Sequence, residues 1–84
     1  MGFRLYIRYN EYGEYSYQLN FSQKPNDRLR FDNYDIIWDV PTRPHHFHPR
    51  GERNAIESPM TGNPHHDIPI LIKYIPIKST EKKK

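Results

Sequence analysis

Phe3-Arg4-Leu5-Tyr6-Ile7-Arg8-Tyr9, Asn10-Glu11-Tyr12-Gly13 and Glu14-Tyr15-Ser16-Tyr17-Gln18-Leu19-Asn20-Phe21 form the stretch that decides the fold. Apolar and aromatic residues take alternate positions in both outer runs, the period of a strand with one buried face. Between them, Gly13 supplies the left-handed position that a hairpin loop commonly needs. Further along, Gln23 to Asp27 is polar, with Pro25 pre-setting a turn. Leu29 and Phe31 then face the core while Arg28, Arg30 and Asp32 face out. Asn33-Tyr34 reads as a corner, and Ile36, Trp38 and Val40 as one face of a fourth run. Residues 3–40 are therefore expected to form an antiparallel meander.

From Pro41 to Pro64 the period is lost among prolines, glycines and histidines. Connections of this length are uncommon in compact domains, and those that occur are often functional or mobile. A poorly ordered surface loop is the bland expectation here, with Arg53 to Glu57 as a candidate edge strand. Residues 67–76 fit two patterns. Ile68, Leu71, Ile72 and Ile75 fall on one helical stripe, with Asp67 as N-cap, Pro69 in the first turn and Pro76 as a stop. The isoleucine-rich composition fits a strand equally. The helix is the preferred expectation, and residues 79–84 are expected to be a disordered basic tail.

Composition narrows the function classes. Hydrophobic residues make up 35% of the 84, below the roughly 45–50% of typical globular chains, a share that also counts glycine. No run approaches the roughly 20 apolar residues of a membrane span. The N-terminus alternates apolar and charged residues instead of building the apolar segment of a secretory signal, so a cytoplasmic address is expected. With no cysteine, disulfide frameworks, thiolate metal sites and cysteine nucleophiles are excluded. The net charge of +3 equals the contribution of Lys82, Lys83 and Lys84, so the placement of arginines says more about ligands than the total does.

That placement is one-sided. Arg4, Tyr6, Arg8, Arg28 and Arg30 share the outward face of the meander with Ser16, Gln18 and Asn20, and its first three strands carry no lysine. Arginine forks pair with phosphates and tyrosines stack on unpaired bases. Arg50 joins this nucleic-acid-binding set from the loop. A plain solvated sheet face is the alternative. Histidines form a second cluster, His45-His46-Phe47-His48. On a strand, an H-x-H pair puts both imidazoles on one face, where they suit proton transfer near neutral pH or metal chelation. Metal-independent RNA cleavage requires a base for the 2′-hydroxyl, an acid for the leaving oxygen and a cation for the phosphorane. Arg30, Asp32, His46 and His48 contain the residue types for a catalytic set. His45, His46 and His48 are weak metal candidates, and no cofactor is expected.

The motifs Arg30-Phe31-Asp32-Asn33, Pro44-His45-His46-Phe47-His48 and Ile56-Glu57-Ser58 resemble the TumE-type toxins of prokaryotic toxin–antitoxin modules. That family shows a hairpin-rich N-terminus, an aromatic-Asp-Asn motif, a Pro-His-His element ending in H-x-H, and a final helix. Matched by position, its motif residues here are Asp32, Asn33, His45, His46 and His48. Residues 34–43 depart from its pattern. The resemblance implies a growth-inhibiting toxin directed at RNA, with a cognate antitoxin as protein partner, and it names no reaction.

The expected fold is α+β. Residues 1–78 form one domain, an antiparallel meander of four to five strands with a C-terminal helix packed on one face. Its core is Phe3, Leu5, Ile7, Tyr15, Tyr17, Leu19, Phe21, Leu29, Phe31, Trp38, Leu71, Ile72 and Ile75. So small a core invites stabilisation by a partner or by homodimerisation. The leading function is a toxin acting on RNA as a metal-independent ribonuclease. The alternatives are a non-catalytic nucleic-acid or protein-interaction module on the Arg/Tyr face, and a metal-binding regulatory protein using the His loop. Convergence of Arg30, Asp32, His46 and His48 in space favours the enzyme; dispersal favours binding.

Overall fold

The structure, a computed structural model, describes residues 3–34 and 37–75. It contains one five-stranded antiparallel sheet in sequence order. The strands are β1 (Arg4–Tyr9), β2 (Tyr15–Asn20), β3 (Arg28–Asp32), β4 (His46–His48) and β5 (Ile56–Glu57), followed by the helix α1 (Pro64–Ile72). The α+β meander expected from alternation is therefore present. Asn10 shapes the first hairpin: its Oδ1 accepts from the backbone N–H of Tyr12 at 2.9 Å and of Glu14 at 3.0 Å. Gly13 follows with φ +83°, open only to glycine at little cost.

One face of the sheet is the core. Leu19 pairs with Leu5 and Leu29, Tyr17 with Ile7 and Phe31, and Phe31 with Phe47, so period-two positions fall into apolar rows. Phe31 and Phe47 stack with centroids 4.2 Å apart. Leu71 of α1 closes over them, fully buried, together with Met60. Phe47 and Met60 were not among the expected core residues. Phe3, Ile7 and Ile72 were, yet all are exposed. A helix of nine residues is only about 14 Å long and leaves the β1 side of the sheet uncovered.

Three local expectations are corrected. Residues 37–40 form no strand, and Trp38 is half-buried against β4 instead of joining the core; Ile36 lies outside the described residues. The fourth strand is His46–His48, because the H-F-H alternation buries Phe47 beside Phe31. The helix starts at Pro64 with Asn63 as its cap, whose Oδ1 accepts from the N–H of His65 at 2.9 Å. Proline suits that first position because its missing N–H has no helical partner anyway. Asp67 is thus freed from capping and lies fully buried, while Pro69 sits inside the helix. The ambiguity at 67–76 resolves as helix up to Ile72; Pro76 and the 79–84 tail lie outside the described residues.

The segment from Pro41 to Asn63 is tied down rather than loose. Thr42 Oγ1 donates to the carbonyl of His45 at 2.7 Å and accepts from the N–H of Ser58 at 2.9 Å, joining the entry of β4 to the exit of β5. Asp67 then pins the chain. It accepts from the Tyr17 hydroxyl at 2.7 Å, from the N–H and hydroxyl of Thr61 at 2.9 and 3.2 Å, and from the N–H of Gly62 at 2.7 Å. Tyr17 commits its proton to the carboxylate, so Tyr9 donates to Tyr17 across 2.7 Å. Burial, with help from both partners, pushes the Tyr17 phenol far above its ordinary value. Gly62 has φ +92°, and a Cβ there would meet the Tyr15 ring at 3.2 Å.

Candidate active site

The opposite face of the sheet is polar, and among the described residues no helix lies over it. Strand register sets its rows: Tyr6, Gln18, Arg30 and His48 in one; Arg8, Ser16, Asp32, His46 and Glu57 in the next. All four candidate catalytic residues therefore meet on two neighbouring strands. Oδ1 of Asp32 lies 2.7 Å from Nε2 of His46, and its Oδ2 lies 2.6 Å from Nε of Arg30. The Arg30 contact is an ion pair without a hydrogen-bonding angle, since Nε is buried and has no hydrogen-bond partner. Asp32 is 3% exposed and His46 1%, so this carboxylate is buried against a guanidinium and an imidazole.

The two histidines differ in a way that decides their chemistry. His46 donates from Nδ1 to the carbonyl of Pro44 at 3.1 Å, while Nε2 faces Asp32. With both nitrogens engaged and its ring buried, it has none free for a substrate. That geometry suits His46 to holding Asp32 in place more than to the direct acid–base exchange expected of it. His48 donates from Nδ1 to the carbonyl of Arg53 at 3.0 Å, which leaves the Nε2 lone pair uncommitted among the described residues. Burial, reinforced by nearby His46 and Arg30 and opposed by the Arg53 carbonyl and Asp32, holds its pKa below the ordinary histidine value. At neutral pH it is an unprotonated base. Trp38 packs edge-on to His48 at 5.1 Å and the two imidazoles meet at 5.0 Å, which restricts the ring.

His48 lines a cleft of about 290 Å³ with Arg28, Arg30 and Arg53, and Glu52 is the carboxylate at its wall. Arg28 also borders a larger depression of about 750 Å³ that holds Arg4, Tyr6 and Lys24. Arg30, Tyr6 and Arg8 line a third depression between them. These shared walls make one basic groove across the open face. Sequence reasoning missed Arg53, whose carbonyl sets the His48 tautomer and which lines the cleft. It also misplaced Trp38. Neither had a local signal, because both reach the site through loops.

Other candidates lie elsewhere. Arg50 was expected in the nucleic-acid set, but its Nε donates to Asp27 Oδ1 at 2.6 Å and its guanidinium sits 3.9 Å from the Phe21 ring centroid. That hydrogen bond holds the Asp27 carboxyl below its ordinary value. Arg50 thus ties its loop to the β2–β3 turn. His45 points to the other side of β4, its Nδ1 2.9 Å from the Tyr15 hydroxyl. It is separated from His46 and His48, and among the described residues no group of three or more His, Asp or Glu side chains is arranged to hold a metal. Asn33 closes the first hairpin: its Oδ1 accepts from the N–H of Tyr15 and its Nδ2 donates to the carbonyl of Gly13, both at 3.0 Å.

Among the described residues no helix is long and apolar enough to cross a membrane. No curated protein and no solved structure matches the chain. The family model described as Toxin TumE matches residues 2–77, a span that takes in the hairpin, the Asp32-Asn33 motif, the His-Phe-His strand and the helix. The chain belongs to the TumE toxin family.

Proposed function

We propose that this chain is the toxin of a toxin–antitoxin module and that it cleaves RNA by metal-independent base catalysis. The observation that carries this reading is His48, a neutral imidazole with a free Nε2 lining an arginine cleft. Its Nε2 takes the proton of a ribose 2′-hydroxyl. The 2′-oxygen attacks the adjacent phosphorus, the bond from phosphorus to the 5′-oxygen breaks, and that oxygen takes a proton from water in the open groove. The products are a 2′,3′-cyclic phosphate and a 5′-hydroxyl, and His48 returns its proton to solvent. Arg28, Arg30 and Arg53 stabilise the added negative charge. Asp32 and His46 hold Arg30 beside the base. Arg4, Tyr6 and Arg8 take flanking nucleotides, with phosphates on the arginines and a base on the tyrosine. RNA as target places the action in the cytoplasm, where the antitoxin restrains it.

The test is cleavage of single-stranded RNA in the presence of a chelator, beside a DNA strand of the same sequence. RNA should be cut to cyclic-phosphate ends and DNA left intact. His48→Ala should lower the rate by roughly 10²–10⁴-fold with an unchanged circular-dichroism spectrum. Retention of RNA without cleavage would favour the binding-module reading, which the continuous groove also supports. Activity that appears only with added divalent metal would overturn the base mechanism.

A further inference from the structure

The sheet has two unlike edges. β5 is two residues long, whereas β1 runs for six without proline, glycine or bulge. β1 is outermost, so among the described residues its far side presents unpaired backbone donors and acceptors. On its core face, Phe3, Ile7 and Tyr9 are 38%, 43% and 45% exposed, because α1 stops short of them. On its open face are Arg4 and Arg8, and among the described residues no carboxylate pairs with either. An open edge with apolar residues below and cations above is complementary to one kind of strand.

We propose that β1 is the docking edge for an extended segment of the partner protein in which acidic and apolar residues alternate. Such a segment adds a sixth strand by backbone hydrogen bonding, with specificity set by alternate side chains. Its apolar positions cover Leu5, Ile7 and Tyr9, and its carboxylates face Arg4 and Arg8. A second copy of this chain fits worse. Antiparallel self-pairing centred on Tyr6 opposes Arg4 to Arg8 of the other copy, and centring on Ile7 puts the two Arg8 side chains on a diagonal; like charges so placed are destabilising. Because Arg4 and Arg8 also border the basic groove, a strand seated there takes cations that the proposed RNA contacts use. Docking at β1 needs no ribonuclease chemistry, so its failure and that of the His48 mechanism are read separately.

The experiment titrates isotope-labelled full-length chain with an eight-residue peptide alternating Glu and Val, and with its Lys-Val counterpart, by NMR. The Glu peptide should shift the amides of Arg4 to Tyr9, and the Lys peptide should not. The double variant Arg4→Glu, Arg8→Glu, both exposed positions, should weaken the Glu peptide at least about tenfold, roughly 1.4 kcal/mol, and create binding of the Lys peptide. Absence of β1 shifts at millimolar Glu peptide would overturn the proposal. So would equal binding of both peptides, shifts centred on Arg28, Arg30 and Arg53 instead, or a dimer of the free chain that Ile7→Lys dissociates.

Discussion

Asp67 and Asp32 are both buried, on opposite faces of one sheet, and their neighbours differ in kind. Asp67 accepts from neutral donors, the Tyr17 and Thr61 hydroxyls and the N–H groups of Thr61 and Gly62. Asp32 faces a guanidinium and an imidazole. Neutral donors fixed by backbone make a joint: Asp67 locks the β5–α1 connection to β2. Asp32 is instead held by side chains of the open face, one of which, Arg30, also lines the cleft. A buried carboxylate therefore does not by itself mark a site; the charge and accessibility of what surrounds it do.

The sharpest test of this contrast substitutes each carboxylate by its amide. Asp67→Asn sets an NH₂ among donors and should cost about 3 kcal/mol of stability, measured by urea unfolding. Asp32→Asn leaves the buried Arg30 Nε and the buried His46 ring without their carboxylate and should likewise cost about 3–5 kcal/mol, but it should also slow RNA cleavage by about 10–100-fold, the scale of one charge-assisted contact of about 1.5–3 kcal/mol. Cleavage slowed equally by Asp67→Asn, compared at the same folded fraction, would erase the distinction.

Tyr17→Phe refines the structural half of the comparison. It removes the link between Tyr9 and Asp67 and should cost about 1–2 kcal/mol. Tyr9→Phe should cost less than Tyr17→Phe, because its exposed hydroxyl finds water.

His48 refines the chemical half. Its folded pKa lies below 6.5, so the folded state binds fewer protons than the unfolded state as pH falls. Its contribution to stability is present above about 6.5, the unfolded value, and is lost as pH drops through the lowered folded value. Cleavage should rise through that same acid-side midpoint and stay level through neutrality. The single tryptophan, Trp38, lies 5.1 Å from the His48 ring, so its fluorescence should report the protonation directly. A midpoint above 6.5 would contradict the burial argument.

The smallest effect belongs to the rim of the groove. Changing Arg4, Arg8 and Arg28 together to Gln should reduce the salt dependence of RNA binding by about 0.7 log unit per lost phosphate contact. It should leave stability within about 0.5 kcal/mol, as for most surface substitutions. An unchanged slope would mark this face as ordinary solvated surface.

Much was legible in the chain itself. Alternation from Phe3 to Asp32 fixed the first strands and their faces, because successive Cβ atoms leave a strand on opposite sides whatever it pairs with. The same rule put His46 and His48 on one face. Local rules failed where alternatives competed. Ile36-Ile37-Trp38-Asp39-Val40 alternates well enough to be a strand, yet Phe47 wins the place beside Phe31. Asp67 is a competent N-cap, yet Asn63 takes that role and Asp67 goes to the interior. Only the tertiary structure decided that β4 pairs with β3 in the register setting His46 against Asp32 and His48 against Arg30, and that a carbonyl from Arg53 leaves Nε2 of His48 free. A side chain's face follows from covalent geometry within a few residues. Its neighbour across the sheet depends on which distant segments bury the most apolar surface together, and no short window of sequence contains that comparison.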